Sequence, residues 1–425
     1  MIAWLLISFF VLLFLGVPIA MSLGLSAMGG ILFLGGGSTV TIAQRMFEGM
    51  NSFALLAIPL YTFAGFTMSK GGISKRLMDF CYSIVGHIYG GLAHVNVLSS
   101  MIFAGISGSA VADTAGVSGM FMPEMIRKGY SKNFTVAVTA ISSTIGIIIP
   151  PSIPMVVIAG ICGISTGKLF LGGIIPGILC GLAQMIVSYF LAKKEGVPKE
   201  PGHFTIGPVL HGLWESWPAL LMPIIIVGTI TMGIVSPTEA GVIAVVYGLF
   251  AGGIIYRELK WEDIKFAFAE TVRTSGRIFI VIGAAKLYTV MLTTAGFDKW
   301  VAKTMLGFST NPTVILIVIL LIFFIDTMFM ESIATLTLFM PILYPIALGV
   351  GINPIVLSVL ITVVIGIGLV TPPVGMCIYV ACDLMDTTVG EVFPTLVPFI
   401  AATFVCIALM VAFPQLILLP TYLMA

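Results

Sequence analysis

Positions 104–123 read AGISGSAVADTAGVSGMFMP, which places Ser107, Gly108, Ser109, Asp113, Thr114 and Ser118 in a strongly apolar neighbourhood. A continuous membrane helix has no use for this composition, because its backbone polar groups are satisfied internally. Broken backbone at membrane depth does, since small residues let the chain turn and let carbonyls face a cavity. Asp113 adds a carboxylate that costs roughly 2.5–3.5 kcal/mol near a bilayer centre, so it needs a partner or a task. Carbonyls and hydroxyls gathered at such a turn suit a hard monovalent cation. Taken alone, the stretch also reads as a small-residue helix seam with one paired Asp.

It has an echo. Positions 326–341 read DTMFMESIATLTLFMP, so that Met122-Pro123 falls on Met340-Pro341 and, at the same displacement, Asp113 falls on Glu331. A second pair follows: IGIIIPPSIPM (145–155) resembles IGLVTPPVGMC (367–377), with Gly146 over Gly368 and Pro150-Pro151 over Pro372-Pro373. A third precedes them, Leu60-Tyr61-Thr62 against Leu287-Tyr288-Thr289. Three matches in one order indicate a two-fold internal repeat, the mark of many secondary transporters. Each repeat then supplies a hairpin tip and a helix broken at its proline pair, because proline removes a donor and restricts the residue before it. A broken helix exposes carbonyls on one half and amides on the other, and the amide ends suit an anion. No Arg lies in either central motif. The expectation is an anion held by amides, hydroxyls and bound cations, without a guanidinium.

The elements that position these motifs are membrane helices. Hydrophobic residues make up 59% of the chain, charged residues 9%, and mean hydropathy is +1.16, which predicts an all-α polytopic membrane protein. A net charge of +1 gives no footing for nucleic acid. Cys81, Cys162, Cys180, Cys377, Cys382 and Cys406 are scattered in apolar segments and read as packed thiols. His87, His94, His203 and His211 form no ligand cluster in sequence.

In chain order, residues 1–51 are an N-terminal scaffold region, apolar over 2–35 and interrupted at Gly16-Val17-Pro18, hence one kinked helix or two short ones. No positive n-region precedes this run, which disfavours a signal peptide. Residues 52–192 form the first repeat: a span containing Pro59, an amphipathic interfacial arm at 69–80, the re-entrant hairpin, the helix broken at 150–151 and a final span. The loop at 124–132 carries Arg127, Lys128 and Lys132, which favours the cytoplasmic side. Residues 193–213 are a polar linker. Residues 214–277 hold two spans, with Glu239 at their junction reading first as a helix cap and second as a coupling residue. An amphipathic helix at 256–277 follows, its Trp261, Ile264, Phe268 and Val272 on one face in the interface. Residues 278–425 form the second repeat, where Lys286 reads first as a snorkelling or ion-paired lysine and second as a transport residue. Beyond Lys303 there is no Lys or Arg, so Asp326, Glu331, Asp383, Asp386 and Glu391 lack a cationic neighbour in sequence and invite a cation from solution.

GISGSAVADTAG, the paired Pro-Pro breaks and the length resemble the large membrane subunit of tripartite ATP-independent periplasmic (TRAP) transporters. The resemblance covers essentially the whole chain. It implies a protein of the bacterial inner membrane that imports a small organic acid by a sodium-coupled elevator mechanism. The fold would comprise inverted repeats, a scaffold and a moving transport domain. A sialic acid or related sugar acid comes first among the substrates and a C4-dicarboxylate next. It also implies two partners, a small four-helix membrane subunit on a separate chain and a periplasmic substrate-binding protein, with Na⁺ as the coupling ion and no other cofactor. By position, the first Na⁺ site would use Ser107, Gly108, Ser109 and Asp113 with Gly146, Ile148 and Pro150. The second would use Asp326, Thr327 and Glu331 with Gly368, Thr371 and Met376, largely through carbonyls. Substrate would meet Ser107, Ser109, Ser152, Asp326 and Thr371. The second tip departs from the family pattern by lacking a Ser-Gly-Ser run.

Two other classes fit parts of the sequence. A channel could use carbonyl-lined breaks. An intramembrane enzyme would need a catalytic dyad or a motif such as HExxH; none is present in sequence, although Asp113 and Glu331 could in principle pair.

Overall fold

The computed structural model describes residues 1–35, 38–197 and 205–423, and among them every regular element is helical. Residues 198–204 of the polar linker, with His203, lie outside the described residues. The N-terminal apolar run is two helices, α1 (Ile2–Phe14) and α2 (Ile19–Leu34), separated where Gly16 takes a φ of +79° ahead of Pro18. The amphipathic α3 (Thr39–Met50) follows, its first turn capped by Ser38.

Seven helices then occur twice in the same order. The first set is α4 (Ala57–Lys70), α5 (Ile73–Val85), α6 (Gly91–Ser107), α7 (Ala110–Arg127), α8 (Lys132–Ser143), α9 (Ile153–Cys162) and α10 (Thr166–Lys194). Next come α11 (Ile206–Thr231) and α12 (Pro237–Phe250). The second set is α13 (Trp261–Thr294), α14 (Phe297–Phe308), α15 (Pro312–Thr327), α16 (Ser332–Gly349), α17 (Pro354–Gly368), α18 (Met376–Asp383) and α19 (Val389–Ala412). A short α20 (Gln415–Leu418) closes the chain. In each set a hairpin (α6–α7, α15–α16) precedes a helix broken at the proline pair (α8/α9, α17/α18). Both Pro-Pro bonds are cis.

Among the described residues, seven helices are long and apolar enough to cross a membrane, including α10, α13 and α19. The expected boundary at residue 278 falls inside α13, which runs unbroken for 34 residues: the amphipathic segment and the first span of the second repeat are one helix. Glu239 is a cap, as expected. It accepts from the Ser236 amide at 2.6 Å while its own amide donates to the Ser236 hydroxyl at 3.3 Å.

The third sequence echo has a packing reason. Tyr61 and Tyr288 are both buried, and each donates its hydroxyl to a carbonyl outside its own set, Tyr61 to Pro237 (2.7 Å) and Tyr288 to Leu5 (2.9 Å). A buried phenol needs such a partner. These bonds tie α4 to α12 and α13 to α1, within a group of helices in which α13 also packs on α2, α3 and α4. Lys286 faces α3, where Gly49 lies against its stem. Glu48 is held below the usual carboxylate range, first by its hydrogen bond from Arg45 and then by the charge of Lys286. Around the hairpins and breaks the repeats cross: α7 packs on α18, and α16 packs on both α9 and α13.

Candidate functional site

The first tip is a two-residue turn. Gly108 closes α6 with a φ of +63°, and Ser109 opens α7 by accepting the Ala112 amide at 3.4 Å. The Gly108 carbonyl accepts the Ile153 amide at 3.2 Å, so the tip is sewn to the start of α9. A Cβ at Gly108 would lie 2.7 Å from the Pro151 carbonyl oxygen. Glycine is therefore required there twice, for its conformation and for its size. Ser107 is buried, and its hydroxyl lies 3.5 Å from the Ser109 amide. The second tip is longer. Its turn is closed by the Asp326 carbonyl, which accepts from Phe329 and Met330 (both 2.9 Å). The Met328 carbonyl accepts the Val374 amide at 2.9 Å, which sews this tip to its own break.

Glu331 sits at the position that opens α16. Its carboxylate accepts the amides of Ile333 (3.0 Å) and Ala334 (3.4 Å), as Ser109 does for α7. One spacing relates Ser109 to Glu331, Pro123 to Pro345, Gly146 to Gly368 and Pro150 to Pro372, and α7 and α16 are both 18 residues long. The pairing of Asp113 with Glu331 is thereby corrected: the structural counterpart of Asp113 is Thr335. That threonine donates to the Asp326 carboxylate at 2.6 Å. A carboxylate thus stands one turn behind each tip, from the second limb in repeat one (Asp113) and from the first limb in repeat two (Asp326).

Asp113 is fully buried, and among the described residues neither of its carboxylate oxygens has a donor at hydrogen-bond distance and angle, the Ser100 hydroxyl being the group near enough to act on it. Ser100, the hydroxyl placed to act on it, donates instead to Ser142 at 3.2 Å. Gly146 lies over it, with space for a Cβ 3.6 Å from both the Asp113 Cβ and the Ser109 carbonyl oxygen. A buried carboxylate is costly without a counter-charge. Asp113 lies beside the Gly108 and Ser109 carbonyls, each of which accepts one amide (from Ile153 and Asp113) and keeps a second lone pair, and that oxygen set fits a hard cation. In repeat two, Gly368 lies so close to Thr327 that any Cβ would overlap its side chain. Thr327 and Thr371 donate their hydroxyls to the Phe323 and Ile367 carbonyls (both 2.7 Å), which fixes both side chains and leaves the hydroxyl oxygens with lone pairs to offer a cation.

The two tips and two breaks open onto one cavity of about 240 Å³. Gly108, Ser109, Glu331 and Met376 line it; Asp113, Gly146, Asp326, Gly368, Thr371, Ile148 and Pro150 do not, and stand behind the tips and breaks. Ser152 serves the break itself: fully buried, it donates to the Ile147 carbonyl (2.5 Å) and accepts the Met155 amide (3.3 Å). The wall facing the tips is α13, with Thr274, Arg277, Ile278 and Val281. Sequence reasoning missed Arg277 because it ended the interfacial helix at that residue. The signal was the helical spacing of 274, 277, 278 and 281 across the supposed boundary.

A family profile described as "Tripartite ATP-independent periplasmic transporter, DctM component" matches residues 6–416. The chain belongs to this family. This DctM-family permease is 36% identical to the sialic acid TRAP transporter large permease SiaM of Vibrio cholerae, over 96% of its own length and 95% of that protein's. It is 35% identical to the C4-dicarboxylate large permease DctM of Pseudomonas aeruginosa, over 95% and 94%. It is 37% identical to the isethionate permease DctMQ of Oleidesulfovibrio alaskensis over 92% of its own length, and spans 62% of that longer chain. Among solved structures, the fold of the permease resembles the YdaH transporter of Alcanivorax borkumensis, with a TM-score of 0.60, 14% identity and coverage of 87% of this chain and 86% of that one. Family and span content place the permease in the bacterial inner membrane, crossing it several times. These relatives are permeases, not enzymes.

Proposed function

We propose that the permease imports a small organic anion coupled to Na⁺, by an elevator movement of the helix group that carries the two tips against the group that contains α13. The anion would be delivered by a periplasmic binding protein, and a small membrane subunit would complete the scaffold. The single observation that carries this reading is the convergence of both tips and both breaks on one cavity, with the buried, donor-free Asp113 just behind it. Duplicated cation-type sites flanking one chamber suit coupled transport better than a channel.

The names of the relatives span sialic acid, C4-dicarboxylates, isethionate and 2,3-diketo-L-gulonate. Their common chemistry is a small organic anion, and that is the class proposed, with a sugar acid such as sialic acid as the first candidate. The test is uptake of labelled acids into proteoliposomes holding the permease, its small subunit and its binding protein. Accumulation under an inward Na⁺ gradient, and none under an equal K⁺ gradient, is the expected result. Uptake indifferent to Na⁺ would overturn the proposal.

A further inference from the structure

Among the described residues, two charged side chains line the cavity, Glu331 and Arg277. The carboxylate of Glu331 is already engaged by the amides of Ile333 and Ala334 at the start of α16. Arg45, Arg76, Arg127 and Arg273 each lie 2.6–2.7 Å from a glutamate. Arg277 has no such ion pair among the described residues. Its neighbours on the same face of α13, Thr274, Ile278 and Val281, line the cavity with it. A guanidinium presents a planar fork that matches a carboxylate with two parallel hydrogen bonds, and Arg277 is exposed where it meets the cavity, so an incoming acid can reach it.

The geometry points to Arg277 as the residue that recognises the acid group of the transported molecule. The contact comes from α13, not from either hairpin. The acid group meets α13 while the rest of the molecule lies toward Gly108, Ser109 and Ser332, so the anion bridges the two helix groups. This assignment rests on the organic-anion reading above. The ligand class is a small carboxylic acid, and a sulfonate forms the contrasting arm of the test.

The experiment is calorimetric titration of the purified permease in Na⁺ buffer with succinate, N-acetylneuraminate, 2,3-diketo-L-gulonate and, as the sulfonate, isethionate. The same titrations are run on Arg277→Ala, Arg277→Lys and Arg277→Gln. Thermal unfolding with and without Na⁺ reports, for each variant, whether the tips remain assembled. The expected result is carboxylate binding weakened about tenfold or more in Arg277→Ala, less in Arg277→Lys, with the Na⁺-dependent rise in Tm intact. Wild-type carboxylate affinity in Arg277→Ala overturns the assignment, as does binding of isethionate alone. If the alanine variant loses its Na⁺ response, Arg277→Gln decides: acid affinity lost with the Na⁺ response kept supports the role, and acid affinity kept, or the Na⁺ response lost here too, refutes it. If the wild-type protein responds to Na⁺ yet binds none of the four acids, the organic-acid reading falls and the assignment with it.

Discussion

Substituting Gly368 by alanine adds one methyl group where the second break meets the second tip. The new Cβ overlaps the Thr327 side chain and comes within 3.2 Å of the Thr327 carbonyl carbon. Thr327 has no room to retreat. It is 1% exposed, its hydroxyl is bonded to the Phe323 carbonyl, and a β-branched side chain in a helix has little rotamer freedom. Overpacking of this kind costs about 1–3 kcal/mol, equivalent to a roughly 5- to 150-fold loss in the population of the seated tip. Gly366→Ala is the control on the same helix. Its Cβ finds its nearest atom, the Thr144 Cβ, at 3.4 Å, and alanine recovers up to about 1 kcal/mol of helix propensity. The assay is thermal unfolding of both purified variants at zero and saturating Na⁺. Gly368→Ala should lower Tm and flatten the Na⁺-dependent rise, whereas Gly366→Ala should preserve both. Equal Tm and equal Na⁺ response in the two variants would refute the reasoning.

Ser107→Ala combined with Ser109→Ala removes a hydroxyl on each side of Gly108, and the Na⁺ concentration giving half-maximal uptake should rise; an unchanged value counts against the first site. Tyr61→Phe and Tyr288→Phe each remove one hydrogen bond between helices, to the Pro237 and Leu5 carbonyls, and should each lower stability by about 1 kcal/mol in denaturant titrations. If two Na⁺ accompany one monocarboxylate, each cycle carries a net positive charge, and 100 mV inside-negative is worth about 2.3 kcal/mol, or roughly fiftyfold in accumulation. A potassium-diffusion potential should therefore speed uptake at a fixed Na⁺ gradient, and a monocarboxylate taken up without response to potential excludes that ratio.

Much of this architecture is legible in the residues. Proline cannot continue a helix, so the pairs at 150–151 and 372–373 mark the breaks, and glycine beside serine at 107–109 marks the first tip. The register of the repeat was harder to read. The second tip takes a longer turn, from Met328 to Met330, before its capping residue, and Pro341 offers a false partner for Pro123 when Pro345 is the true one. Aligning on Pro341 shifts α16 by about one turn, which is how Glu331 came to stand opposite Asp113. A helix read from local pattern also hides a continuous α13. Its polar first half and apolar second half look like two segments, and Arg277 falls at the seam. Which carboxylate has a donor and which lacks one depends on tertiary packing, and no spacing in the sequence encodes it.

In the proposed mechanism a cation balances Asp113 behind the first tip, and the melting of Asp113→Asn as Na⁺ is added tests this. In Na⁺-free choline buffer the asparagine removes a buried carboxylate without donors, so the variant should melt at or above wild type. With Na⁺ at about 100 times its Kd, each occupied site adds about 2.7 kcal/mol to the folded state. With both proposed sites filled, wild type should gain this from both repeats and the variant from the second alone. The order of the two melting curves should reverse as Na⁺ is added. A variant with the full wild-type Na⁺ response would contradict the claim.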